Sequence, residues 1–293
     1  MRSPPSPELV LWITAEAGPP RGLAPCGWPQ GRSRVWRVHR PDGPPLFLKQ
    51  YSDETTRQQE LRTYREWLPA VRDDVTRTPR VVAESPPVLC SLLLDGLDGE
   101  LVSRIPLEEA EGAWAHRRAG EWIARLHAIP FTDDDPMPLS EAIPLRLAFW
   151  LDRGGEELSR EEGDLARRLV GDGSIFVGDR RVPCHRDFQM RNWILDRTSD
   201  PHRLGVIDFE HARPDHPLVD SVRVRERALP RYPSWFDAFV DGMGIPVDPR
   251  IEAKLIALSA VHAVGSVVWG AQQGDRSLRQ EGHSLLDRLR AET

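Results

Sequence analysis

Short apolar runs bounded by turn residues dominate the first hundred residues, a pattern that is typical of β-strands. SRVWRVHR (33–40) and PPLFLKQY (44–51) flank a PDG turn and therefore predict a β-hairpin. The apolar positions take helical spacing over residues 54–71, and two further strands are predicted over 78–85 and 86–94. The order strand, strand, helix, strand, strand predicts a small antiparallel sheet with one helix packed on it.

Helical spacing dominates the rest of the chain, after a turn-rich link near residues 95–101. Helices are predicted over residues 108–129, 144–153 and 161–170, and most of the chain after residue 218 also has a helical pattern. The predicted fold class is therefore α+β with two lobes. Residues 1–96 form a small antiparallel β-rich N-terminal lobe, and residues 97–293 form a larger, mainly helical C-terminal lobe.

The charge balance bears on the class of partner. A net charge of −6 argues against nucleic acid as the main partner. Residues 1–99 carry a net charge of +1 and residues 100–293 carry −7, so the larger part of the chain mildly favours a cationic or neutral substrate over an anionic one.

The cysteine content and the lengths of the apolar runs bear on localisation. Three cysteines without a CxxC pair indicate a reducing compartment and no disulfide scaffold. No run reaches the roughly 20 apolar residues of a membrane span, and the apolar run near the N-terminus is too short and proline-rich for a signal peptide. We expect a cytoplasmic protein without a membrane partner, and the oligomeric state stays open.

Lysine is rare in this chain: of 39 basic residues, only Lys49 and Lys254 are lysine. Lys49 lies near the end of a short apolar run in a chain that otherwise uses arginine. A compact ammonium differs from a guanidinium in size and hydration, which favours a site that needs lysine itself. The alternative is a surface lysine kept by chance.

The most informative stretch is CHRDFQMRNWIL (184–195), which IDFE (207–210) follows after a short hairpin. It contains Asp187 and Asn192, and Asp208 comes from the second motif. Phosphoryl transfer from ATP needs one carboxylate that orients or deprotonates the attacking hydroxyl, and an amide oxygen and a second carboxylate that hold metal ions. Asn and Asp supply the hard oxygen ligands that Mg²⁺ prefers.

HRDFQMRN and VIDFE, in this order, resemble the motifs of the aminoglycoside phosphotransferase and choline kinase family, which is related to the protein kinases. AGEWIARLHAIP (119–130) resembles the family's helix ending in Leu-His, LLLDGLDGELV (92–102) its hinge, GRSRVWRV (31–38) its nucleotide loop and LFLKQY (46–51) its lysine strand. The resemblance covers about residues 22–225. It implies a protein-kinase-like fold with a nucleotide-binding N-terminal lobe and a catalytic, substrate-binding C-terminal lobe.

The resemblance implies a role for each matching residue. Asp187 matches the catalytic base, and Asn192 and Asp208 match the metal ligands. Lys49 matches the lysine that contacts the nucleotide phosphates, and Asp220 matches an aspartate that braces the catalytic loop.

The helix after Lys49 should supply a glutamate that holds the lysine. Glu60 aligns better with the family's helix, and Glu66 is the alternative. The cofactor-binding residues implied by the resemblance are Lys49, Glu60, Gly31, Ser33 and Asp95, the last in the hinge that should meet the adenine.

Several positions depart from the family pattern. Arg186 stands where the family usually has glycine, and it either contacts substrate or the transferred phosphate or forms a structural ion pair. Glu210 of DFE replaces the glycine of DFG, and it either joins the metal shell or is an ordinary solvated or salt-bridged residue. Gly27 and Gly31 do not have the spacing of a full G-x-G-x-x-G loop. The arginine-rich segment 222–232 is expected to be a solvated helix face, with an edge of the substrate pocket as the alternative.

Taken together, the resemblance implies an ATP-dependent O-phosphotransferase that uses Mg²⁺ and phosphorylates a hydroxyl of a small molecule; GTP is not excluded as the donor. An antibiotic hydroxyl, aminoglycoside-like or other, is the leading acceptor, which would make the protein a resistance enzyme. One alternative is a metabolite kinase for a small alcohol such as choline or a sugar. The other is a non-catalytic nucleotide-binding protein, and the presence of Lys49, Asp187, Asn192 and Asp208 together counts against it.

Overall fold

The computed structural model describes residues 4–27, 33–246 and 248–293. The helices are α1 (Pro7–Ala17), α2 (Glu54–Arg62), α3 (Glu109–His127), α4 (Leu139–Gly154), α5 (Arg160–Val170), α6 (Val219–Ala228), α7 (Pro233–Met243), α8 (Pro249–Gln273) and α9 (Arg276–Glu292). The strands are β1 (Gly22–Pro25), β2 (Arg34–His39), β3 (Leu46–Gln50), β4 (Thr76–Arg77), β5 (Val81–Glu84), β6 (Ser91–Asp95), β7 (Glu100–Leu101), β8 (Val182–Cys184), β9 (Trp193–Asp196), β10 (Arg203–Val206) and β11 (Arg213–Asp215).

The chain divides into two compact units. The first contains Met1–Leu107 and Met190–Ala212, and the second contains Glu108–Gln189 and Arg213–Thr293. The first unit is rich in antiparallel strands and the second is mainly helical, which confirms the predicted α+β class.

A five-stranded antiparallel sheet in the order β1-β2-β3-β6-β5 forms the main layer of the first unit. The predicted hairpin is its centre, with Trp36 of β2 paired to Leu48 of β3. Helix α1 packs Leu9 and Ile13 onto the same buried cluster as these two side chains. The helix predicted over residues 54–71 begins as α2 and continues through a π-helical and a 3₁₀ turn.

A second sheet explains why Met190–Ala212 groups with the first unit. The β9–β10 hairpin pairs with β7 on one side and with β4 on the other. All four strands lie within the first unit. The predicted division after residue 96 does not follow this grouping, because the hairpin makes its backbone hydrogen bonds with strands that come earlier in the chain.

Glycines allow close helix packing in the second unit. A Cβ at Gly120 of α3 would lie 2.1 Å from the carbonyl oxygen of Phe239 on α7, so only a glycine fits this approach. Among the described residues, α8 is long and apolar enough by length and composition to cross a membrane. Because 67% of its most apolar window is buried inside the protein, α8 fits a core helix equally well.

Helix α1 was not predicted from the sequence. Ser6 caps this helix by accepting a hydrogen bond from the N–H of Leu9, and Pro7 occupies its first turn. Proline is well tolerated at that position because its missing N–H would have no partner within the helix. Pro7 therefore favours the start of this helix and does not interrupt its interior.

Candidate active site

Lys49 is a buried lysine on the central strand β3, with 4% of its surface exposed. Its Nζ lies 2.7 Å from Oε2 of Glu60, 2.5 Å from Oδ1 of Asp208 and 3.3 Å from Oε2 of Glu210. Burial alone lowers the pKa of Lys49, but the charges of Asp208, Glu60 and Glu210 outweigh it and hold the pKa well above its ordinary value. The ammonium therefore stays charged inside the protein.

Glu60, and not Glu66, is the partner of Lys49. Glu60 is fully buried on α2, whereas the side chain of Glu66 is 54% exposed and pairs with Arg62 at 2.7 Å. Burial raises the pKa of Glu60, and the charge of Lys49 opposes that rise. Glu60 also accepts a hydrogen bond from the N–H of Phe209 at 3.2 Å, so it connects α2 to the DFE motif.

Asp208 and Glu210 follow β10 and bring two more carboxylates to Lys49. Asp208 has a left-handed φ of 70°, which few non-glycine residues adopt and which marks a constrained position. Glu210 accepts a hydrogen bond from Oγ of Ser33 at 2.7 Å, and its carbonyl accepts one from Nε2 of Gln59 at 2.7 Å. Glu210 is thus a salt-bridged, buried residue, as one of the two sequence alternatives held.

Asn192 is buried and directly precedes β9. Its carbonyl accepts the N–H of Ile207 at 3.0 Å, so the β9–β10 pairing brings Asn192 next to the residue that precedes Asp208. The two predicted metal ligands therefore come from adjacent strand ends of one hairpin, within the first unit.

Asp95 lies at the end of β6, which pairs with β3. In this pairing Asp95 lies opposite Leu46, and Leu92 lies opposite Lys49. Its carboxylate accepts the N–H of Arg80, and its own N–H donates to the carbonyl of Arg80 at 3.0 Å. Burial raises the pKa of this carboxyl. The side chain of Asp95 thus has a local structural role, and its hinge function stays a prediction. Gly31, predicted for the phosphate loop, lies outside the described residues.

The second unit holds Asp187 in a loop after β8 that α6 braces. Asp220 of α6 accepts the N–H groups of His185 at 3.0 Å and Arg186 at 2.6 Å, which confirms its predicted bracing role. Nε2 of His127 lies 3.0 Å from the same carboxylate. Asp187 itself is 3% exposed, and its N–H donates to Nδ1 of His185 at 3.3 Å.

Arg186 forms an ion pair with Asp215. Its Nε lies 2.9 Å from Oδ2 of Asp215, which is also 2.9 Å from Nη1 of Arg146. Burial raises the pKa of Asp215, but Arg186 and Arg146 outweigh burial and hold the pKa below its ordinary value. Arg186 has a left-handed φ of 64°, so the loop turns sharply just before Asp187. Of the alternatives left open by the sequence, the structural ion pair is the one observed.

Arg223 contacts the predicted base, although its segment was expected to be a solvated helix face, with an edge of the substrate pocket as the alternative. Its Nε lies 3.1 Å from Oδ1 of Asp187, and Nε2 of Gln189 donates to the same oxygen at 2.6 Å. The sequence could have predicted this contact. Arg223 comes three positions after Asp220, and residues at that spacing lie on the same face of a helix.

Sequence comparison identifies the family of this chain. The profile of the phosphotransferase enzyme family matches residues 28–253. No curated protein sequence is detectably similar to the chain.

Several solved structures resemble this chain over almost its whole length, at low sequence identity. The GDP and kanamycin complex of APH(2")-IIia matches with a TM-score of 0.75 and 16% identity, over 98% of this chain and 100% of the other. The streptomycin-ATP-APH(2")-IIa ternary complex matches with a TM-score of 0.69 and 15% identity, over 98% and 97% of the two chains. Macrolide 2'-phosphotransferase type I matches with a TM-score of 0.69 and 18% identity, over 95% of each chain. At these identities the matches establish the protein-kinase-like fold.

Proposed function

This chain belongs to the phosphotransferase enzyme family and is a small-molecule kinase, and we propose that it transfers the γ-phosphoryl group of ATP to an acceptor hydroxyl. The observation that carries the proposal is the buried Lys49 ammonium, held by Glu60 at 2.7 Å and Asp208 at 2.5 Å. A permanently charged lysine at a fixed position suits the binding of nucleotide phosphates, since phosphoryl transfer depends mainly on positioning and charge neutralisation.

A divalent cation fits the composition of the same cluster. The carboxylates of Glu60, Asp208 and Glu210 come within 4.8 Å of one another and face one ammonium, which leaves an excess of negative charge. Their oxygens, with the amide of Asn192, are the hard ligands that Mg²⁺ prefers. We assign Asn192 and Asp208 as the metal ligands, and the bound metal would neutralise phosphate charge.

Asp187 supplies the basic group in this proposal. Its carboxylate, oriented by Gln189 and Arg223, accepts the proton of the acceptor hydroxyl as the phosphoryl group is transferred. Only four residues separate Asp187 from Asn192 in the chain, so base and metal ligand belong to one continuous segment.

For the acceptor we favour an antibiotic hydroxyl, which would make the protein a resistance enzyme. Support comes from the family and from neighbours whose complexes contain kanamycin or streptomycin. Neighbours are complexed with GDP or ATP, so both ATP and GTP are candidate donors. We further propose a cytoplasmic location, which the three sparse cysteines favour.

The experiment is a screen of the full-length protein, with Mg²⁺ and either ATP or GTP, against antibiotics, small alcohols, choline and sugars. Mass spectrometry of the acceptor detects phosphorylation directly. The expected result is phosphorylation of one acceptor class by wild type, with a fall of about 10²- to 10⁴-fold in Asp187→Asn.

Nucleotide binding by Asp187→Asn, measured by calorimetry, should stay close to wild type because Lys49 and its partners are unchanged. Turnover by this variant near the wild-type rate would show that Asp187 is not the base. Phosphorylation of choline or a sugar, with no antibiotic modified, would replace the resistance role with metabolism and leave the kinase chemistry intact.

A further inference from the structure

Arg223 forms an ion pair that the phosphoryl-transfer motifs do not account for. Its Nε lies 3.1 Å from Oδ1 of Asp187, and its side chain is 19% exposed. Nε2 of Gln189 donates to the same oxygen at 2.6 Å. Two donors on one carboxylate oxygen restrict the rotation of the carboxylate, which is itself only 4% exposed.

The position of Arg223 on α6 is tied to the catalytic loop. Asp220 precedes it by three residues on the same helix face and holds the N–H groups of His185 and Arg186. One face of α6 therefore contacts three consecutive residues of the loop, two by their backbone and Asp187 by its side chain. Arg227, one turn further along α6, instead pairs with Glu281 at 2.9 Å.

The other charged groups near Asp187 have partners of their own. Arg186 and Arg146 both direct their guanidinium groups to Asp215, at 2.9 Å each. Asp220 lies 3.0 Å from Nε2 of His127. Arg223 directs its guanidinium group to the carboxylate of Asp187 instead.

We propose that Arg223 is a positioning residue for phosphoryl transfer, which keeps the carboxylate of Asp187 ionised and oriented to receive the proton of the acceptor. This inference rests on the proposed function of Asp187 as the base. An opposite charge within about 4 Å favours the ionised form of a carboxylate. A base must also present its oxygen within hydrogen-bond reach of the proton it takes. Without Arg223, the nearly buried Asp187 would lose a charge partner and a contact that orients its carboxylate.

The kinetic test compares Arg223→Gln and Arg223→Lys with Arg227→Gln, a matched control from the same helix. We expect Arg223→Gln to lower kcat by about 10- to 100-fold, because a misplaced catalytic group is costly even when binding is intact. KM for ATP and acceptor should change by less than about threefold, since the loss falls on the chemical step. Arg223→Lys should recover part of kcat, and Arg227→Gln should match wild type.

A second readout does not need an acceptor. In protein labelled with ¹³C at aspartate carboxyls, Asp187→Asn identifies the Asp187 resonance. Its titration midpoint should move upward by about one pH unit or more in Arg223→Gln. It should stay at the wild-type position in Arg227→Gln.

The two readouts separate failure of the inference from failure of the proposed function. Wild-type kcat in Arg223→Gln overturns the inference. A fall in kcat that Arg223→Lys does not recover, combined with an unchanged titration, shows a structural role only and also overturns it. If no acceptor is phosphorylated, the proposed function fails, and the titration alone decides whether Arg223 controls the ionisation of Asp187.

Discussion

At the scale of the residue, Lys49 carries a positive charge in a buried position, where the loss of water disfavours the charged form. Three carboxylates within 3.3 Å of its Nζ provide the compensation, and two of them come from the DFE motif, more than 150 residues further along the chain. The rarity of lysine pointed to this residue without identifying its partners. The geometry shows why a compact group is needed, because Glu60, Asp208 and Glu210 converge on one atom.

Lys49→Arg is expected to impair turnover although it preserves the charge. A planar guanidinium is larger than an ammonium and cannot place one nitrogen against three converging carboxylates in a nearly closed space. We expect kcat/KM for ATP to fall at least about tenfold, in line with the loss of an oriented electrostatic contact. Steady-state kinetics over a range of ATP concentrations measures this change.

Lys254→Arg is the matched control, since Lys254 is the other lysine of the chain and is also buried. Its Nζ lies 2.6 Å from Oδ2 of Asp179, within the second unit, whereas Lys49 and the DFE motif belong to the first. Its replacement should alter thermal stability more than the KM for ATP. Equal kinetics for Lys49→Arg and wild type would contradict the requirement for lysine.

Glu60→Gln and Glu66→Gln form a second matched pair at the residue scale. Glu60→Gln removes a charge that contacts Lys49 and should reduce ATP affinity about tenfold or more, whereas Glu66→Gln only breaks an exposed pair worth about 0.3–0.5 kcal/mol. Calorimetric titration with ATP distinguishes them. A larger effect from Glu66→Gln would mean that the Glu60–Lys49 pair does not support nucleotide binding.

The motifs predict site residues that are close in sequence, but they do not predict contacts made across helices. Asp187 and Asn192 belong to one spaced motif, so their types and separation could be recognised directly. Alignment with the family's helix favoured Glu60, but Glu66 stayed an alternative because both belong to one predicted helix. Arg223 was missed because its contact with Asp187 depends on how α6 packs, and an arginine-rich helix is usually solvated.

At the scale of the element, α3 and α7 of the second unit pack closely at Gly120. Gly120→Ala should push these helices apart, because its Cβ would lie 2.1 Å from the backbone oxygen of Phe239. Overpacking of this kind costs about 1–3 kcal/mol. Urea unfolding should show a lower midpoint. Trp122 of α3 stacks on Phe188, with 5.8 Å between the ring centroids. Because Phe188 directly follows Asp187 in the chain, turnover should fall as well.

Gly163→Ala is the control for Gly120→Ala. Gly163 also lies within a helix, α5, but the nearest atom to its added Cβ is 3.4 Å away, at the end of the Arg167 side chain. Alanine is favoured over glycine in a helix by about 1 kcal/mol, so this variant should be as stable as wild type or more stable. A lower unfolding midpoint for Gly163→Ala than for Gly120→Ala would refute the packing explanation.

The sequence predicted whether a segment is a helix or a strand where the apolar pattern was local. It did not predict the residues at which these helices and strands begin and end. The spacing of apolar residues predicted the β2–β3 hairpin and the helices α3 and α5 within a few residues. The segment 86–94 was predicted as one strand, but its first part is a 3₁₀ turn, Pro87–Leu89, and β6 begins at Ser91. Helix α4 begins five residues before the predicted start at Pro144, so this proline lies inside the helix. Packing in the second unit therefore overrides the usual cost of an internal proline.

At the scale of the whole molecule, two buried histidines should make stability depend on pH. Burial lowers the pKa of His116 to about 4, partly opposed by its hydrogen bond to the carbonyl of Gly112. Burial lowers the pKa of His216 to about 4 as well, partly opposed by Asp179. Since the ordinary value is about 6.5, the unfolded chain takes up protons first as the pH falls. The stabilisation is therefore complete above pH 6.5 and is lost as the pH falls towards 4.

Each of the two histidines should lower the free energy of unfolding by about 2 kcal/mol as the pH falls from 7 to 5. Urea unfolding at several pH values measures it, with His216→Gln and exposed His39→Gln as the pair to compare. Other titrating groups, including Glu60 with its raised pKa, are common to all variants and cancel in the difference. His216→Gln should lose about 2 kcal/mol of the change in unfolding free energy between pH 7 and pH 5, because a buried histidine that is kept neutral by the fold couples folding to proton uptake. His39→Gln is the control for replacing an exposed histidine. Equal slopes in both variants would contradict the lowered pKa of His216, because a group changes the slope only when its pKa differs between the folded and unfolded states.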